Sequence, residues 1–106
     1  MTLQRFEELI VIADPQASHY SSIFKPNYTV WAEYGDNSLF ADGQRAETAI
    51  KIQIDRFTKI EFDPVAQAIT DMLNSKDAAD EIAYSYECTS EPVTGYIRHM
   101  WVCEVI

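Results

Sequence analysis

Few residues in this chain stand at spacings that would do covalent chemistry. Catalysis needs a nucleophile beside a base, a carboxylate pair in a pocket, or a metal cluster. The two histidines, His19 and His99, lie far apart in the sequence and read as surface or strand residues rather than general bases. Asp36 and Asp42 share a turn-rich stretch, where aspartates commonly bond their own backbone. Three glycines are too few for a phosphate-cradling loop. The two cysteines, Cys88 and Cys103, make neither a disulfide framework nor a metal-ligand spacing, and both are expected as buried free thiols. No catalytic, cofactor-binding or metal-binding residue is assigned, and the chain is read as a protein other than an enzyme.

The aromatic side chains carry more weight. Tyr28, Trp31, Tyr34, Tyr84, Tyr86, Tyr96 and Trp101 all fall on segments with strand character, where core packing is the default role. Trp31 stands on the opposite face from Val30 and Ala32, beside Thr29 and Glu33. It is either covered by the first helix or exposed for a partner, and an exposed tryptophan on a small acidic domain favours an oligomer contact.

These residues are positioned by a legible order of elements. From Thr2 to about Ala13, Leu3, Phe6, Ile10 and Val11 recur at helical spacing, with Thr2 able to cap the start. The β-branched stretch Leu9 to Ile12 leaves a strand as the alternative, and Asp14-Pro15 ends the element either way. Gln16 to Pro26 has no sustained period and reads as a surface connector, with Tyr20, Ile23 and Phe24 against the core. Tyr28 to Tyr34 alternates as a strand. Gly35-Asp36-Asn37-Ser38 and Asp42-Gly43 supply turn chemistry, so residues 35 to about 45 read as a long excursion. In the following segment Ile50, Ile52 and Ile54 lie on one face, and Lys51, Gln53 and Asp55 on the other.

Asp63-Pro64 places a cap and a first-turn proline before the helical stripe Val65, Ala68, Ile69, Met72 and Leu73. The alternating segment Ile82 to Cys88 and the closing strand Tyr96 to Val105 should pair as an antiparallel hairpin. Bulk on both faces of the last strand implies cover on both sides, a helix on one and a neighbouring subunit or loop on the other. The expectation is one α+β domain over residues 1–106, with an antiparallel sheet of about four strands flanked by two helices.

With 47% apolar and 12% aromatic residues in 106, one folded domain is within reach. No apolar run approaches the length of a membrane span, and a soluble, cytosolic protein is expected. A formal charge of −9 repels phosphate and argues against a nucleic-acid-binding surface. Between Glu61 and Glu91, the acids Glu61, Asp63, Asp71, Asp77, Asp80, Glu81, Glu87 and Glu91 face Lys76 alone. That stretch is either a solvated face or a surface turned toward a basic partner or passing DNA.

The order of helix, Pro26-Asn27-Tyr28-Thr29-Val30 strand, Phe40-Ala41-Asp42-Gly43 loop, alternating strand Ile50 to Lys59, Asp-Pro helix and closing Tyr96 to Val105 resembles a phage family. With Tyr20, these residues are similar to the tail-completion (tail-terminator, head-tail joining) proteins of long-tailed phages and prophages. The resemblance implies an α+β fold and a structural virion protein, present in host cytoplasm during assembly. It implies a hexameric ring at the head-proximal end of the tail, partnered by the tail-tube and head-completion proteins. DNA would pass through without specific binding and no membrane would be involved, which suits an acidic lumen. Trp31, Leu39, Phe40 and Asp42 are the residues expected at the oligomer interface, with Leu39 and Phe40 as anchors on a neighbouring subunit. The alternative from another class is a small acidic mimic of DNA that inhibits a DNA-binding enzyme.

Overall fold

A computed structural model describes the backbone of residues 1–21, 25–41 and 44–106, and their side chains except at 36–41 and 44–48. The first helix, α1 (Leu3–Ala13), starts where the Thr2 hydroxyl accepts from the Arg5 amide at 3.0 Å. It buries Phe6, Leu9 and Ile10 while Val11 and Ile12 are exposed, so helix prevails over strand because the buried residues share one face and the first turn is capped. The second helix, α2 (Pro64–Leu73), starts at Asp63, whose carboxylate accepts from the Val65 amide at 3.1 Å.

The strands are β1 (Ser18–His19), β2 (Tyr28–Ala41), β3 (Gln44–Thr58), β4 (Ile82–Ser90) and β5 (Ile97–Val105), in a sheet ordered β1-β2-β3-β5-β4. The fold is α+β as the sequence implies, with two corrections. The sheet has five strands rather than about four, and it is mixed, because β1 pairs parallel to β2 through Ser18 with Val30 and His19 with Trp31. The supposed connector thus holds a short edge strand. Within it Tyr20 is exposed rather than tucked against the core, while the expectation for Ile23 and Phe24 lies outside the described residues.

Both helices pack on one face of the sheet. Phe6, Leu9 and Ile10 of α1, Ala66, Ile69, Met72 and Leu73 of α2, and Trp31, Ile52, Ile54, Trp101, Cys103 and Val105 of the strands form one core. The Trp101 indole N–H donates to Thr70 Oγ1 at 3.1 Å, fastening α2 to β5. The opposite face carries no described element over it: Val30, Ala32, Lys51, Gln53, Asp55, Phe57, Arg98, Met100 and Val102 are half-buried there. The cover expected on both sides of β5 is present on the helix side.

The excursion expected at residues 35 to 45 is instead a continuation of both strands. Asp36 pairs with Ile50, Asn37 with Ala49, Ser38 with Thr48, Leu39 with Glu47, Phe40 with Arg45 and Ala41 with Gln44. Register shifts fall between Glu33 and Gly35 and between Leu39 and Phe40. Because β3 meets β5 only from Ile50 onward, the part beyond is a two-stranded ribbon that leaves the sheet. The radius of gyration of 14.9 Å exceeds the roughly 13 Å of a compact chain this size, and the longest dimension is 52 Å.

Candidate functional site

Of the residues expected at an interface, Trp31 stands apart from Leu39 and Phe40. Trp31 is 2% exposed and sits in the core, which removes it from the exposed set. Its ring lies 5.2 Å from Phe6 of α1 and stacks at 3.9 Å on His19, so the helix-covered reading of this residue is the one the fold realises. Leu39 and Phe40 stand on the ribbon, ~26 Å or more along the strand from Trp31 at the usual rise. Their side chains, and Asp42 altogether, lie outside the described residues.

His19 and His99, far apart in sequence, are both engaged. His19 Nε2 lies 2.7 Å from Glu33 Oε2, its ring held between Trp31 and Tyr20. This clamp closes β1 onto β2. His99 is buried on β5, with Nδ1 2.7 Å from the Tyr86 hydroxyl and Nε2 without a hydrogen-bond partner.

Across the sheet from His99, its β3 partner Arg56 anchors a charged network. Arg56 Nε donates to Asp63 Oδ2 at 2.7 Å and its Nη1 to Thr29 Oγ1 at 3.3 Å, with Asp14 Oδ2 at 3.8 Å. All four side chains are buried. Burial alone would raise the Asp63 carboxyl, but the Arg56 hydrogen bond, the Val65 amide, the Arg56 charge and the Thr58 hydroxyl outweigh it and hold the group below its ordinary value. Burial pushes the His99 imidazole below its usual value; the Asp63 charge opposes this and the Arg56 charge adds to it. The signal for the network was in the sequence: Arg56 and Thr58 continue the inward-facing series Ile50, Ile52, Ile54, and a buried guanidinium requires acidic partners. The network joins the end of α1, the middle of the sheet and the start of α2, a bracing role.

Between α2 and the β4-β5 hairpin lies an open cleft of about 580 Å³, with Phe62, Asp63, Gln67, Tyr84, Tyr86 and His99 among its lining residues. Its only described histidine nitrogen without a partner, His99 Nε2, is buried away from solvent. Among the described residues no set of histidine, cysteine and carboxylate side chains could hold a metal ion, and no helix is long and apolar enough to cross a membrane. Of the eight acids between Glu61 and Glu91, Asp63 is buried in the network and the others are exposed, from Glu61 before α2 to Glu91 after β4.

Two features of the backbone therefore stand at the margins of the sheet. One is the ribbon of residues 36–41 and 44–49. The other is the sheet's open face and its β4 edge. No protein-family model matches the chain, and no curated protein is significantly similar to it.

Proposed function

We propose that this chain is a structural virion protein, a tail-terminator or head-tail joining component that assembles as a ring, of six copies by the resemblance, at the head-proximal end of a phage tail. The observation that carries the reading is the ribbon. A two-stranded hairpin standing free of a sheet is at best marginally stable in water, so a long one serves a purpose when a neighbour covers it. A body with a second, different surface on its arm can make head-to-tail contacts, which close into a ring where the rotation between copies closes and otherwise extend as a filament.

The open face of the sheet and the charge of −9 fit the same role, since a lumen through which DNA slides must not hold phosphate. In this role the protein acts by association with itself, the tail tube and a head-completion protein, and no chemical step is required of it.

The test is native mass spectrometry of the purified protein together with electron microscopy. A closed ring of six copies supports the reading. A monomer or dimer that inhibits a DNA-binding enzyme would replace it with mimicry of DNA.

A further inference from the structure

Strand β4 is an edge of the sheet along its whole length, and Glu87 is its one charged residue. Natural edge strands are blunted by shortness, lysine, proline, bulges or a covering element. The nine residues Ile82–Ser90 contain no lysine or proline, and their register with β5 runs without a shift from Ile82 with Val105 to Ser90 with Ile97.

The direction of its free backbone groups follows from two bonds at the ends of the hairpin. Ile106 N donates to Glu81 O at 2.9 Å and Glu91 N to Tyr96 O at 2.8 Å. Hydrogen-bonded pairs alternate along an antiparallel ladder, so the odd-numbered residues of β4 bond to β5. The amides and carbonyls of Tyr84, Tyr86 and Cys88 therefore point outward, along a strand whose residues from Ser85 onward are all exposed.

The other side of the sheet offers a counterpart. Strand β1 covers β2 only at Val30 and Trp31, leaving the outer edge of β2 open from Ala32 toward Ala41 among the described residues. Strand β4 runs opposite to β2, because β2-β3, β3-β5 and β5-β4 are each antiparallel. Repeating the sheet sideways thus sets β4 antiparallel to the β2 of the next copy, with segments of matching length.

We infer that β4 is a self-association seam, which the outer edge of β2 in a second copy extends as an antiparallel strand. The inference rests on the ring reading and deepens it, naming the backbone seam by which one protomer meets the next. A heterologous contact of this kind propagates head to tail, whereas pairing of β4 with β4 would stop at two copies.

Cys88 gives a clean test, since its side chain is exposed and its amide faces the open edge. Proline is tolerated on an edge strand where the missing N–H would point to solvent, so Cys88→Pro removes an outward donor while sparing the bonds to β5. Cys88→Lys places a charge on the seam, and Cys88→Ser controls for the thiol. Native mass spectrometry and light scattering read the assembly, and circular dichroism with thermal melting reads the fold. Expected are a closed assembly for the unaltered chain and Cys88→Ser, and folded monomers for Cys88→Pro and Cys88→Lys. A ring that survives both substitutions overturns the seam and leaves the ring reading standing. A two-copy assembly lost in both variants overturns the ring reading and the choice of β2 as partner. A chain that stays monomeric at all concentrations overturns both.

Discussion

Arg56 Nε lies 2.7 Å from Asp63 Oδ2 with both side chains buried, so the residue that starts α2 is fastened to the inner face of β3. Asp63 serves two functions at once, capping the helix through Oδ1 and compensating the guanidinium through Oδ2. Removing one partner of a buried pair leaves an unpaired charge and costs about 3–5 kcal/mol. Asp63→Ala should lose stability on that scale in urea unfolding. Asp63→Asn keeps a capping oxygen and should recover ~1 kcal/mol of the loss.

The same neighbourhood sets the response to acid. His99 is held below its ordinary value by burial, so in the window beneath about pH 6.5 the unfolded chain binds a proton that the folded chain refuses. The unfolded state then binds more protons and stability falls as pH falls. Asp63 is also depressed, so its contribution is present above the ordinary aspartate value and is lost as pH drops through the lower folded one. Both effects point the same way. Stability against urea should decline below about pH 6.5 and again below about pH 4, and His99→Gln should remove the first decline. A flat profile between pH 7 and 5 in the unaltered chain would contradict the assignment.

What the sequence disclosed and concealed follows from the range of the forces involved. Caps and periodicity are local, so α1 from Thr2, α2 from Asp63-Pro64 and the Ile50, Ile52, Ile54 face of β3 are readable residue by residue. The ribbon hid because Gly35, Asp36, Asn37 and Ser38 carry turn chemistry whatever they form. Asp42-Gly43 is a dipeptide favoured in two-residue hairpin connections, but beside the turn residues Gly35 to Ser38 it reads equally as part of one long loop. Strand β1 is two residues held by a parallel contact and a His19-Glu33 clamp, neither of which has a period. Trp31 was ambiguous because facing away from Val30 and Ala32 does not tell which face α1 will cover.

Trp31 now makes a prediction about the fold rather than the interface. Its indole packs between Phe6 and His19, and truncating a buried aromatic costs about 3–5 kcal/mol. Trp31→Ala should lower the unfolding midpoint on that scale, and Trp31→Asp should fail to fold instead of giving a soluble monomer. A Trp31→Asp chain with native circular dichroism and an unchanged midpoint would refute the packing.

The cysteines should separate by reactivity. Cys103 is buried and its thiol is pushed up to about 12 by burial, while Cys88 is exposed, against the expectation that both are buried. Cys88 pairs with His99 and Cys103 with Tyr84, putting the two ~13 Å apart along the hairpin at the strand rise, too far to bridge. One thiol should label quickly in native buffer and the second only on unfolding. A non-reducing mass showing an intramolecular disulfide would refute the register.

The ribbon supplies the last prediction, because β2 and β3 pair with each other beyond Ile50, where the pairing of β3 with β5 ends. Asp36 pairs with Ile50, so replacing residues 37–49 by Asn-Gly closes the same two strands with a connection suited to a two-residue hairpin. Of the replaced residues whose side chains are described, Ala49 is buried but lies outside the main core cluster. The shortened chain should therefore keep native circular dichroism and an unfolding midpoint close to that of the full chain. If the arm embraces a neighbour, the shortened chain should remain monomeric at concentrations where the full chain assembles, and a phage carrying it should yield particles lacking joined, finished tails. Normal tailed particles from the shortened chain would remove the observation on which the ring proposal rests.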